Sequence, residues 1–280
     1  MENRSEWLLS SINSALAAGK AILEVYDSPD IAIDKKADDS PLTLADRRSH
    51  DIIVAGIGDT GLPVLSEEGR TIPFAERGQW SRMWIVDPLD GTKEFIKRNG
   101  EFTVNIALCE AGDPTMGVVF VPVVDTLYFA DREHGAFKIA ATRRLYEGAD
   151  NTKAIDDLEQ LVRRADRMPV ARDPNRPYTI MGSRSHATPA LEAFVETMRQ
   201  RYGSVDFISA GSSLKICRVA EGAADVYPRL GPTMEWDTAA GQAIAVASGA
   251  RVVRHDNGRD LTYNKEDLLN PWFIVERKNP

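Results

Sequence analysis

Apolar positions recur near helical spacing from Ser5 to Tyr26, at Ile12, Leu16, Gly19, Ile22, Leu23 and Tyr26, and predict an amphipathic first helix. A polar, turn-rich stretch, Asp27–Pro41, follows. Thr43 then precedes a second helical pattern running toward Gly56–Gly61, with Asp46 in its first turn. The helix dipole favours an anion there, which is explanation enough for Asp46 taken alone. Pro63–Ser66 is a short strand that runs into Glu67-Glu68-Gly69. Trp84-Ile85-Val86 is a buried strand that stops at Asp87, with Pro88 holding Asp87 extended. Leu89-Asp90-Gly91 turns, and Thr92 is placed to cap a short helix carrying Glu94 and Phe95.

Four short runs rich in Val, Ile, Phe and Tyr come next: Phe102–Cys109, Met116–Val124, Thr126–Ala130 and Gly135–Ile139. Gly, Pro and Asp separate them, as in a meander of strands. Ala141–Pro177 is rich in Arg, Asp and Glu and poor in large apolar residues. It reads as a surface excursion with a short exposed helix over Asp156–Arg167. From Tyr178 the pattern alternates. Strands at Tyr178–Met181, Ser204–Ile208, Ala224–Tyr227, Arg251–Arg254 and Trp272–Glu276 interleave with helices at Pro189–Tyr202, after Gly211-Ser212-Ser213, and at Asp237–Ser248. Alternation of this kind predicts an α/β layer architecture. The expected organisation is an N-terminal α+β half (1–140), a linking excursion (141–177) and a C-terminal α/β half (178–280).

Composition narrows the function. The chain has 280 residues, 43% hydrophobic and 27% charged, which is ordinary for a globular protein with a real core. A net charge of −8 without a basic run argues against nucleic-acid binding. Cys109 and Cys217 have no metal or disulfide spacing and are expected to be buried thiols. No signal peptide is evident, and no apolar run approaches the ~20 residues of a membrane span. The consistent expectation is a cytoplasmic protein.

The chemistry concentrates in carboxylates at element ends: Glu67 with Glu68, Asp87, Asp90 and Asp237. Buried carboxylates are costly unless paired or bound to metal, and hard divalent cations take oxygen ligands. Neighbours on an extended chain point opposite ways, so one of Glu67 and Glu68 faces any given site. Taken singly, each acid is equally well a helix cap or a solvated turn.

The segments LSEEG (Leu65–Gly69), WIVDPLDGTKEF (Trp84–Phe95) and EWDTAAGQAIAVASGA (Glu235–Ala250) resemble the signature motifs of the inositol monophosphatase superfamily of Mg²⁺-dependent phosphatases. SPLTLAD, SRSH, GSSLK and AEGAADVYPR are similar to its bisphosphate nucleotidases of the CysQ type. The resemblance implies an αβαβα sandwich of the inositol monophosphatase/fructose-bisphosphatase type. It implies a first Mg²⁺ on Glu67, Asp87 and the Leu89 carbonyl, a second on Asp87, Asp90 and Asp237, and a third, weaker ion near Glu67. Asp46 and Thr92 would orient and deprotonate the attacking water, and Gly91 and Thr92 would offer N–H groups to the phosphate. Substrate would touch Glu67, Leu89, Asp90, Gly91, Thr92 and Asp237, with His186, Ser212, Lys215 and Arg229 holding the rest of a nucleotide. The implied reaction is removal of the 3′-phosphate from 3′-phosphoadenosine 5′-phosphate, inhibited by Li⁺, within sulfur metabolism. Inositol-1-phosphate or another sugar phosphate is the alternative substrate, and a non-catalytic phospho-ligand sensor the alternative of another class. The resemblance leaves open monomer or homodimer, and peripheral association with the inner face of the cell membrane.

Overall fold

The computed structural model describes residues 4–28, 33–35, 41–142, 155–170, 175–182 and 188–277. Helix α1 (Arg4–Tyr26) opens the chain, followed by a small antiparallel pair, β1 (Ile33–Lys35) and β2 (Pro41–Thr43), and by α2 (Leu44–Ile57). Then come β3 (Val64–Ser66), α3 (Phe74–Arg77), β4 (Arg82–Asp90) and α4 (Thr92–Ile96). The meander is β5 (Thr103–Glu110), β6 (Asp113–Val121), β7 (Thr126–Asp131) and β8 (Gly135–Ala140). Helix α5 (Leu158–Arg164) and β9 (Asp166–Arg167) follow. The last part comprises β10 (Tyr178–Gly182), α6 (Pro189–Tyr202), β11 (Val205–Ser209), α7 (Leu214–Ala220), β12 (Val226–Arg229), α8 (Ala239–Ala247), β13 (Ala250–Arg254) and β14 (Phe273–Arg277).

A seven-stranded sheet runs in the order β3-β4-β5-β6-β7-β8-β9, and a five-stranded sheet in the order β11-β10-β12-β14-β13. Helices α1 and α2 cover the outer face of the large sheet, α7 and α8 lie between the two sheets, and α6 lies beside β11. The expected five αβαβα layers are therefore present. Strand alternation assigns the faces. On β4, Trp84 and Val86 enter the core under α1 and α2, whereas Met83 and Ile85 enter the core shared with α7, α8 and the second sheet.

The middle layer depends on small side chains. Seven residues of α8 are buried, six of them Ala, Gly or Gln, and the helix lies hard against β6. A Cβ on Gly117 would stand 2.4 Å from the Ala240 carbonyl oxygen. Only glycine admits that approach.

Helix α1 is long and apolar enough by composition to cross a membrane, yet ten of its residues are buried in the core. Two local expectations need correcting. The helix expected to be exposed after residue 156 forms α5, but Leu158 and Leu161 are buried in the cluster beneath α1. The Asn13 side chain clasps the Ile155 backbone at 2.9 Å in both directions, tying that segment to α1. The polar stretch before α2 carries the β1–β2 pair, whose three-residue strands are too short to leave a periodic signal. Cys109 and Cys217 are buried, free thiols, as expected.

Candidate active site

Strands β3 and β4 are parallel, with Ser66 opposite Val86, so Glu67 and Asp87 leave the same sheet edge side by side. The Glu67 N–H donates to the Val86 carbonyl at 3.1 Å, which fixes the exit. Asp87 and Asp90 are three apart and would face opposite sides of a regular strand. They do not, because Asp87 pairs with Asn105 and Asp90 with Thr103 across β5, leaving one extra residue on β4. This is a β-bulge at Pro88, a residue with no N–H to give the ladder. It sends Leu89 into the core under α1 and α2, and Asp90 toward the start of α7. The Pro88 carbonyl is held at 2.6 Å by the Ser49 hydroxyl of α2.

Asp237 reaches the same place from the turn before α8. Carboxylate oxygens of Glu67, Asp87 and Asp237 lie within 4.8 Å of one another. Asp87 is 1% exposed; one of its oxygens accepts the Leu89 N–H at 3.0 Å, and the other has no partner among the described residues. Burial first, then the charges of Glu67, Asp90 and Asp237, push its carboxyl well above the usual range. Burial and the Asp90 charge push Asp237 up to about 8. Clustered anions that raise one another's affinity for protons also attract a cation, and an all-carboxylate donor set suits a hard ion such as Mg²⁺. The orphaned Asp87 oxygen is the donor such an ion would use. Asp90 lies beside them, one oxygen accepting the Ser213 N–H at 2.6 Å.

Asp46 is 2% exposed and does two jobs. As the third residue of α2 it closes a capping box with Thr43, accepting the Thr43 N–H at 2.8 Å. Its other oxygen accepts the Thr92 hydroxyl at 3.2 Å. A hydroxyl that donates to a buried carboxylate keeps its lone pairs for a water. Gly91 caps α4 at φ 95°, and a Cβ there would meet the Ser212 hydroxyl at 2.3 Å, so the turn requires glycine.

Lys215 is buried, its ammonium 3.4 Å from the Ala210 carbonyl and 5.8 Å from the Tyr227 ring centre. Burial brings it down to about 8, opposed chiefly by Asp90. Arg229 donates to the Pro232 carbonyl at 2.7 Å, and its buried Nε has no partner among the described residues. Its charge bears on both Lys215 and Asp237. The Ser212 hydroxyl is engaged with the carbonyls of Asp90 and Glu101, each at 2.8 Å. His186 lies outside the described residues.

Two residues escaped the sequence reading. Asn105 and Ser213 are buried polar side chains bonded to each other directly behind Asp90. Their signal was a polar pair, Thr103 and Asn105, on one face of an otherwise apolar strand, and a second serine in GSSLK.

Residues 3–277 match the model of the inositol monophosphatase family. The chain is 46% identical over 263 residues to the 3′(2′),5′-bisphosphate nucleotidase CysQ of Salmonella typhimurium, covering 92% of this chain and 94% of that protein. The Escherichia coli K12 protein of the same name is matched equally well. Among solved structures, CysQ from Bacteroides thetaiotaomicron superposes with a TM-score of 0.85 at 50% identity, covering 98% of this chain and 97% of that one. An inositol monophosphatase of Thermotoga maritima has a TM-score of 0.67 at 22% identity, a likeness of fold.

Proposed function

The chain belongs to the inositol monophosphatase family, and on that premise we propose that it is a Mg²⁺-dependent phosphatase that hydrolyses 3′-phosphoadenosine 5′-phosphate to AMP and phosphate. The observation that carries this reading is the convergence of Glu67, Asp87 and Asp237, with one Asp87 oxygen buried and unpartnered. Glu67, Asp87 and the Leu89 carbonyl would hold one ion, and Asp87, Asp90 and Asp237 a second, with a third, weaker ion near Glu67. Bound there, Mg²⁺ would lower the pKa of a coordinated water and offset charge on the leaving oxygen.

The chain's own residues supply the rest. The Thr92 hydroxyl, donating to Asp46, accepts from the attacking water and fixes its direction. Asp46, buried and adjacent, draws the proton along that bond. The N–H groups of Gly91 and Thr92 face the phosphate at the start of α4. Water adds to phosphorus as its proton passes to Asp46, the P–O3′ bond breaks with its electron pair going to the 3′-oxygen, and that oxygen takes a proton from solvent to leave as a hydroxyl. No nucleophilic side chain is needed, since phosphoryl transfer rests on positioning and charge.

Lys215 and Arg229 support a bisphosphate substrate, because a buried ammonium and a half-buried guanidinium whose charges bear on the acidic cluster suit a second phosphate. Ser212 would shape that pocket through the Gly91 turn, and His186 would join it. The curated relatives' name, 3′(2′),5′-bisphosphate nucleotidase, agrees with this choice. The activity would clear, in the cytoplasm, the nucleotide left after an activated sulfate has transferred its sulfuryl group, and would extend to the sulfated nucleotide itself.

Phosphate release tests the reading on 3′-phosphoadenosine 5′-phosphate, its sulfated form, AMP and inositol-1-phosphate, with and without Mg²⁺ and Li⁺. Fastest Mg²⁺-dependent, Li⁺-inhibited turnover of the bisphosphate is expected. Faster inositol-1-phosphate turnover would overturn the substrate. Ligand binding with no release from any substrate would favour a sensor.

A further inference from the structure

Behind the carboxylates lies a second layer of buried polar side chains that has no part in the roles assigned above. Ser213 is its centre and is 2% exposed. Its N–H donates to Asp90 Oδ2 at 2.6 Å. Its hydroxyl oxygen stands 2.9 Å from that same carboxylate oxygen and 2.6 Å from the carbonyl of Asp237. The hydroxyl has one hydrogen and can give it to only one of these acceptors at a time. It accepts in turn from the Asn105 side-chain amide at 2.9 Å. The Thr103 hydroxyl stands 3.0 Å from the Asn105 amide oxygen and 3.5 Å from Asp90 Oδ2. Asn105 and Thr103 are 1% and 0% exposed.

This arrangement joins parts of the chain that share no backbone connection nearby. Asp90 ends β4, Asn105 lies on the adjacent strand, Ser213 precedes α7, and Asp237 precedes α8. The two residues come from opposite halves of the chain, yet one hydroxyl lies within hydrogen-bonding distance of the Asp90 carboxylate and of the Asp237 backbone carbonyl. With Asp90 Oδ2 occupied by Ser213, the carboxylate can rotate little, and Oδ1 is the oxygen left for another partner.

We propose that Ser213, oriented by Asn105, is a positioning residue that sets the separation of Asp90 and Asp237 and so the geometry of the second cation pocket. The proposal rests on the metallophosphatase reading, because it assigns these two acids to one ion. Orienting partners of this kind commonly change metal affinity about 10–100-fold when removed.

The test titrates Mn²⁺ into metal-free protein and counts free ion by electron paramagnetic resonance, for wild type, Ser213→Ala, Asn105→Ala and the double variant. Melting in EDTA runs alongside. In Ser213→Ala one of two Mn²⁺ sites should weaken about 10–100-fold while the other holds. The Mg²⁺ concentration for half-maximal phosphate release should rise, with KM at saturating Mg²⁺ nearly unchanged. The double variant should lose no more than Ser213→Ala, since Asn105 acts through Ser213. Wild-type Mn²⁺ affinity in Ser213→Ala would overturn the proposal alone, as would a uniform loss at both sites that tracks the fall in EDTA melting temperature. Independent, multiplying losses in the double variant would remove Asn105 from it. A wild type that takes up no Mn²⁺ would overturn the proposal together with the reading beneath it.

Discussion

Two sets of buried carboxylates share this fold and are treated in opposite ways. Away from the site, each is neutralised within the chain. Asp225, fully buried, takes both arms of the Arg176 guanidinium at 2.8 and 3.0 Å. Glu235, fully buried, accepts the Lys265 ammonium at 2.5 Å and two backbone N–H groups. Glu221 meets Lys138, Arg218 and the Tyr128 hydroxyl. At the site, Asp87 and Asp237 receive single backbone N–H groups, and the charges that act most strongly on both are the carboxylates of Glu67 and Asp90. The first set stabilises the fold. The second set opposes it until a cation arrives from outside.

The sharpest way to break this contrast is to remove charge from each set. Asp87→Asn should abolish measurable phosphate release, yet raise the melting temperature in EDTA by about 2–4 °C, as expected for roughly 1 kcal/mol of relieved repulsion. Asp90→Asn should likewise end turnover with the fold intact. Retained turnover in either variant would remove that residue from the cation site. Glu235→Gln should do the reverse. It should cost about 3 kcal/mol in denaturant unfolding, the low end for breaking a buried pair, because Lys265 keeps 24% of its side chain exposed. Its turnover on what folds should be near normal.

A smaller effect sharpens the substrate side. Lys215→Ala or Arg229→Ala should lower kcat/KM for the bisphosphate about 10–100-fold, as for a lost charged hydrogen bond, and for AMP much less. Equal losses would show that neither reads the second phosphate.

The smallest signal is the proton itself. Asp237 stands at about 8 in the cation-free fold against an ordinary 3.8, so the folded protein holds a proton the unfolded chain has released. That contribution to stability is complete below about 3.8 and is lost as pH rises through about 8. Asp87 is raised as well, so Mg²⁺ binding should expel protons from the cluster at pH 7 and fewer at pH 9. Calorimetry in two buffers of different ionisation enthalpy measures the difference, and equal release at both values would contradict the shift.

Much of this was legible in the chain. The helix after Thr43, the strand into Asp87 and the small-residue helix after Asp237 stand where periodicity and caps placed them. The motifs singled out the acids. What periodicity could not carry was the side each acid faces, since that depends on a bulge whose register is set by β5. Nor could it show that Asp46 serves both a cap and Thr92, because one capping pattern explains the residue completely. Asn105 and Ser213 stayed hidden because a buried polar side chain is recognisable only once its partner is beside it. Of Glu67 and Glu68, Glu67 joins the cluster, a choice made by its N–H bond to Val86.

The small side chains of α8 have a further consequence. The helix separates the two sheets and begins two residues after Asp237, so its width sets how far that acid stands from Asp87 and Asp90. Mg²⁺ and Ca²⁺ differ in bond length to oxygen by only about 0.3–0.5 Å. A single added methyl at Ala243, whose Cβ faces Gly117, would shift the layers by a comparable amount. Ion selectivity would then be tuned from the protein's interior, by residues that never meet the ion.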